Sequence, residues 1–178
     1  VKIAADTPAI FTQIRQPTEN FLCVPRVTSE RRKYIPIVFM KPDVIVSDRV
    51  SYIPDADLYM FGILSSSVHM AWIDAVAGRL GIGYDYSINI VYNNFPFPKS
   101  NPKIEVTAQK ILDARSNHPN SRLAELYDPN LMPTDLRKAH DENDRAVLDA
   151  YGFSKNISES EIVARLLEMY QNLIQKIS

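Results

Sequence analysis

The rhythm of hydrophobic and polar positions changes twice along the chain. Short β-branched or aromatic runs at 21–25, 34–40, 44–48 and 50–53 are each bounded by Pro, Asp or charge, and predict short strands joined by turns. From 58 to 77, Leu58, Phe61, Leu64, Val68, Ala71, Trp72 and Val76 recur at three- and four-residue steps. That spacing predicts one or two buried helices, ending at Gly78. Residues 86–92 then alternate polar and apolar (Ser87, Ile88, Asn89, Ile90), which predicts a strand running into Asn93-Asn94-Phe95-Pro96-Phe97-Pro98.

Beyond Lys99-Ser100-Asn101-Pro102 every pattern is helical. Ile104, Ala108, Ile111 and Leu112 make one stripe, and Leu123, Leu126 and Tyr127 a shorter one. Leu136, Ala139, Val147 and Ala150 mark a helix opened by Pro133 and closed at Gly152. In Ser158-Glu159-Ser160-Glu161, Ser158 can accept from a free amide while Glu161 reaches back, so a last helix is predicted there, with Ile162, Leu166, Tyr170 and Leu173 on one face. The expected fold is α+β: over 1–99 a small mixed or antiparallel sheet with buried helices, and over 100–178 a small α-helical region.

Composition narrows the function classes. At 46% hydrophobic residues, 178 residues suffice for one domain or two small ones. Twenty Lys+Arg against 21 Asp+Glu, a net charge of -1, exclude a uniformly basic nucleic-acid coat and a polyacidic tail. The single cysteine, Cys23, excludes an internal disulfide framework and a CxxC site. Ser, His or Asp interrupts each apolar run before the roughly 18 residues of a membrane span, and no secretory signal pattern opens the chain. A chain beginning at Val1 is expected to be processed or a piece of a longer polypeptide.

Local charge is less even. Within 15–41, Arg15, Arg26, Arg31, Arg32, Lys33 and Lys41 face Glu19 and Glu30, a net of +4. Ser29-Glu30-Arg31-Arg32-Lys33-Tyr34 is the densest stretch. Its guanidinium forks, ammonium and hydroxyls suit phosphate oxygens, although a solvated turn would look the same.

Catalytic signatures are missing. Gly78-Arg79-Leu80-Gly81-Ile82-Gly83 has the wrong spacing for a dinucleotide or phosphate loop and is read as a helix stop and a turn. Asn93-Asn94-Phe95-Pro96 only superficially resembles the Asn-Pro-Pro-aromatic motif of amino-methyltransferases. No GxSxG surrounds Ser65, Ser66 or Ser67. His140-Asp141, expected on an exposed helix, lacks further ligands at metal spacing, and Asp141/Asp144 are explained by a solvent face. Cys23, His69 and Trp72 are expected in the core.

Several strings are more specific. Val24-Pro25-Arg26-Val27-Thr28-Ser29-Glu30-Arg31-Arg32-Lys33-Tyr34-Ile35-Pro36 resembles the start of the target-recognition domain of MmeI-like DNA methyltransferases, the Type IIL restriction–modification proteins. Tyr59-Met60-Phe61-Gly62-Ile63-Leu64 with His69-Met70-Ala71-Trp72, then Gly78-Arg79-Leu80, Tyr84-Asp85-Tyr86-Ser87 and Ile90-Val91-Tyr92-Asn93-Asn94-Phe95-Pro96, are similar to later parts of that domain. Leu123-Ala124-Glu125-Leu126-Tyr127-Asp128-Pro129, Leu136-Arg137-Lys138-Ala139-His140 and Asp144-Arg145-Ala146-Val147 resemble the family's C-terminal helical region. The resemblance runs from about residue 7 to about residue 153.

It implies a non-catalytic recognition fragment of a bacterial, cytoplasmic, site-specific adenine-N6 methyltransferase, with or without an endonuclease. Its partners would be double-stranded DNA and its own N-terminal methyltransferase core, with no membrane. No cofactor is expected in these residues; S-adenosylmethionine would bind the core. Arg26, Ser29, Arg31, Arg32 and Lys33 are then expected at phosphates and grooves. Base readout is expected from Arg79, Tyr84, Asp85, Tyr86 and Ser87 in and after the Gly81-Ile82-Gly83 turn. Asp85 could accept from a cytosine amino group and Arg79 could pair with guanine. Core packing is the alternative for Tyr84 and Tyr86. Two other functions compete: a non-catalytic scaffold docking through its last helix, and a hydrolase using His140-Asp141.

Overall fold

A computed structural model of the protein describes residues 16–177; Arg15 and the first residues of the resemblance lie outside them. The fold is α+β, as expected. One antiparallel sheet has β1 (Phe21–Pro25) at its centre, flanked by β3 (Val38–Met40) and β4 (Val50–Ile53). A second antiparallel sheet orders β2 (Val27–Ser29), β6 (Gly83–Asp85) and β5 (Gly78–Leu80). Its register places Thr28 opposite Tyr84, and Tyr84 opposite Arg79.

The apolar run at 58–77 forms two helices, α1 (Leu58–Leu64) and α2 (Ser67–Val76), each with a side-chain N-cap: Asp57 accepts from Met60 N–H and Ser66 from His69 N–H. Four more follow: α3 (Pro102–Ser116), α4 (Leu123–Leu126), α5 (Thr134–Tyr151) and α6 (Glu159–Ile177). Gly152, with φ 70°, ends α5 in the left-handed cap conformation that glycine adopts without a Cβ clash. The capping box is formed: Ser158 N–H donates to Glu161 at 2.9 Å and Glu161 N–H to the Ser158 hydroxyl at 3.3 Å. Ile162 and Leu166 of α6 are buried; Leu167 and Leu173 beyond them face outward.

Three sequence expectations are corrected. Residues 44–48 are irregular and join neither edge of the β3–β1–β4 sheet. The helix stop before Gly78 and the turn at 81–82 are found, but Gly78–Leu80 between them is a strand. The 86–92 segment is not a strand: pairing stops at Asp85, and Ile88–Tyr92 winds into a π-helical turn closed by Asn93 N–H on the Ile88 carbonyl at 2.9 Å. The Trp72 indole fixes that turn by donating to the Val91 carbonyl at 2.9 Å.

One cluster of buried side chains runs from Leu22 through to Leu166, so sheets and helices share a core. Where α1 and α3 cross, a Cβ on Gly62 would lie 2.6 Å from Ile104 Cγ2 and 3.1 Å from the Asn143 Oδ1 of α5. Three polar side chains of α5 complete this junction. Asn143 donates to the Gly62 carbonyl at 2.7 Å, and its own carbonyl oxygen accepts from Thr107 at 2.9 Å. Asp144 accepts from Ser67 N–H and from the Tyr34 hydroxyl, both at 2.8 Å.

His140 is the third. Its Nδ1–H donates to the Ser65 carbonyl at 3.1 Å, which leaves Nε2 to accept from the Tyr127 hydroxyl at 2.7 Å. Tyr34 stacks on its ring at 4.0 Å. The Arg115 guanidinium donates to Tyr127 and to the Ile37 carbonyl. His140 and Asp144 are therefore not surface residues; both are buried structural groups.

Burial lowers the pKa of His69 to about 3 and, helped by Arg115, does the same to His140. In the unfolded chain both imidazoles take a proton near the ordinary 6.5. Their stabilisation is complete above that pH and is lost as pH falls toward 3, at roughly 1.4 kcal/mol per unit for each. Asp144, raised by burial, works in the opposite direction and offsets part of the loss. Urea midpoints at pH 7.5 and pH 5 should accordingly show a clear fall in stability, up to about 2 kcal/mol per histidine; an unchanged or rising midpoint would contradict neutral buried imidazoles.

Candidate nucleic-acid interface

The second sheet brings the two predicted contact groups together. β2 and β6 are antiparallel, with Ser29 opposite Gly83. The basic turn that leaves β2 and the Gly81-Ile82 turn that enters β6 therefore emerge at the same end of one sheet. Gly81 takes φ 61° in the tight turn, and a Cβ on Gly83, the first residue of β6, would lie 2.7 Å from the Thr28 carbonyl oxygen of β2. Ile82, at its tip, is 77% exposed. Arg26, Asp85 and Ser87 lie at the other end, about 7 Å further along the ladder.

The cations differ in what already holds them. Arg31 is exposed, and its guanidinium has no partner among the described residues. Arg32 donates to the Thr28 hydroxyl at 3.3 Å, and Arg26 to the Asp48 carbonyl at 3.3 Å. Lys33 pairs with Asp141 of α5 at 3.0 Å. Ser29 accepts from Arg31 N–H, ordering the turn.

Arg79 is the most constrained. It bridges Asp74 of α2 at 2.7 Å and Glu30 of the basic turn at 3.3 Å, and lies over the Tyr84 ring at 4.2 Å. The Tyr84 hydroxyl donates to the same Asp74 oxygen at 2.6 Å. That hydroxyl, with Arg79 and against the effect of burial, holds Asp74 below the usual carboxylate range; burial and Asp74 push Tyr84 up to about 12. The cluster staples hairpin, basic turn and α2 together.

Tyr84 and Tyr86 are both buried, and the Tyr86 hydroxyl bonds His69 Nε2 at 3.0 Å. Core packing is thus the geometry found for both. Sequence reasoning missed Arg145 and Lys155, isolated charges that line the same face as Arg32 and Lys33. It also missed Asp74 and Glu30 as the partners of Arg79. Among the described residues no group of three His, Cys, Asp or Glu could hold a metal, and no helix is long and apolar enough to cross a membrane.

The site is thus a small sheet presenting a basic turn beside a hairpin, braced on helices. Residues 1–99 match the family model for the MmeI target recognition domain, and residues 97–178 the model for the MmeI C-terminal domain. DNA methyltransferase A of Bacillus subtilis (strain 168) is 39% identical over 174 residues, covering 96% of this chain and 20% of that protein. A solved structure of the Type IIL restriction–modification enzyme MmeI in complex with DNA is 43% identical with a TM-score of 0.91, covering 98% of this chain and 24% of that one. The chain belongs to the MmeI family and carries its target recognition domain followed by its C-terminal domain. It spans about a fifth to a quarter of the length of these relatives.

The staple makes a local prediction. Asp74→Asn removes the charge that holds Arg79, so amides within 78–85 should exchange with solvent on the order of tenfold faster while amides of β1 are unchanged. Unchanged exchange across 78–85 would show that strand pairing alone holds the hairpin.

Proposed function

We propose that the chain binds duplex DNA and reads its sequence for a site-specific adenine-N6 methyltransferase of the restriction–modification type. The observation that carries this reading is the β2–β6 register, which sets Arg31, Arg32 and Lys33 beside the exposed turn at 81–82. The basic side chains fit phosphate oxygens and fix orientation; the turn, and Asp85 and Ser87 at the other end of the sheet, fit base edges in a groove. Arg79 fits this scheme as a brace, since Asp74 and Glu30 already engage its fork, and Tyr84 and Tyr86 as buried struts. Arg26 is a further phosphate contact at the far end of the sheet.

We assign S-adenosylmethionine, the methyl transfer and the extruded adenine to a methyltransferase core elsewhere in the polypeptide, acting in the bacterial cytoplasm. A scaffold docking through α6 is the second reading, favoured by the outward-facing Leu167 and Leu173.

Anisotropy titrations of the chain with a duplex at 50 and 200 mM salt separate the two. Four phosphate contacts predict a loss of roughly 150-fold over that range, and Arg31→Ala with Arg32→Ala should flatten the logarithmic salt slope by about 2. Absence of duplex binding at 50 mM would sink the recognition reading.

A further inference from the structure

A groove of about 620 Å³ opens between the basic turn, α2, α5 and the α5–α6 connection. Its walls carry both signs of charge, but the two signs differ in availability. Asp144 is buried and holds Tyr34 and Ser67. Asp141 is paired with Lys33, and Glu30 and Asp74 are both paired with Arg79. Glu159, in the first turn of α6, is the remaining acid of the lining. The cations are open by comparison. Arg145 and Lys155 are exposed, with no hydrogen-bond or ion-pair partner among the described residues, and Arg32 touches only the neutral Thr28 hydroxyl. Glu142, one turn before Arg145 on α5, is engaged by Lys110 at 2.6 Å.

We infer that this groove is a second phosphate-contact strip, in which Arg145 and Lys155 of the C-terminal helical region, facing Arg32 across the groove, hold the backbone of a DNA strand. Guanidinium and ammonium groups that make no hydrogen bond or salt bridge within the protein bind phosphate oxygens without first breaking one, and a groove focuses their field. The helical region is then part of the DNA-binding surface as well as a support for the recognition sheet. The Lys33–Asp141 bridge sets the width between the two lips of the groove. The inference rests on the duplex-binding reading proposed above.

The test uses the 178-residue chain, two duplexes of unrelated sequence and salt from 50 to 200 mM. Arg145→Ala with Lys155→Ala should weaken binding to both duplexes alike, by roughly tenfold, and reduce the salt slope by about 2. Arg145→Lys with Lys155→Arg should restore both. Melting midpoints of all three proteins should agree, since neither side chain is buried. Unchanged affinity and slope in the alanine variant, or a loss on one duplex only, would overturn the phosphate strip while leaving the recognition reading in place. A parent chain that binds neither duplex would overturn both.

Discussion

A helix cannot be broken inside a dry core unless something satisfies the backbone groups that the break exposes. The interruption between α1 and α2 at Ser65 and Ser66 meets that constraint with side chains from a distant helix. The Gly62 and Ser65 carbonyls and the Ser67 amide, all next to the break, receive Asn143, His140 and Asp144 of α5 respectively. A buried backbone group left unpaired costs about 1–3 kcal/mol, so three at one junction would be a large share of the stability of a domain this size. Gly62 permits the close crossing that brings the donors within reach. Its missing side chain and the polar ladder of α5 are two halves of one solution.

The placement of the basic turn and the hairpin follows from the same junction. Tyr34 stacks on His140 and donates to Asp144, which pins the chain immediately after the basic turn to α5. Lys33, its neighbour, reaches the same helix through Asp141. On the other side Asp74 of α2 holds Arg79 and Tyr84, which position the hairpin. Three-residue strands have little stability of their own. The second sheet keeps its shape because helices on either side hold it, and the relation between basic turn and hairpin is set by α2 and α5.

Much of this was legible where the cause is local. The stripes of α3 and α5, the Ile162–Leu166 half of the α6 stripe, the Ser158–Glu161 capping box and the Gly152 stop depend on residues within a turn or two of each other, and each forms as read. The basic turn was legible from charge density alone. His140 and Asp144 were read as surface groups because they alternate with true surface charges such as Asp141 and Arg145. Their burial depends on partners 75 and 77 residues away, and no local pattern encodes that. The strands β2 and β5 are too short to show a period of two, and the alternation at 86–92 comes from a π-helical turn whose exposed Asn89 and Ile90 mimic the solvent face of a strand. Arg145 and Lys155 carried no signal because they are single charges on separate elements; only the fold sets them on one groove.

The central claim is that the α5 ladder makes the recognition sheet and the helical region one folding unit. Expressing residues 1–99 alone tests it most directly, with near-ultraviolet circular dichroism and urea unfolding as the readouts. Without α5, the Gly62 and Ser65 carbonyls, the Ser67 amide and the Tyr34 hydroxyl lose their partners inside the core. The account predicts no cooperative transition and no native near-ultraviolet signal for 1–99, with both present in the whole chain. A cooperative unfolding transition in 1–99, with the aromatic signal retained, would contradict it.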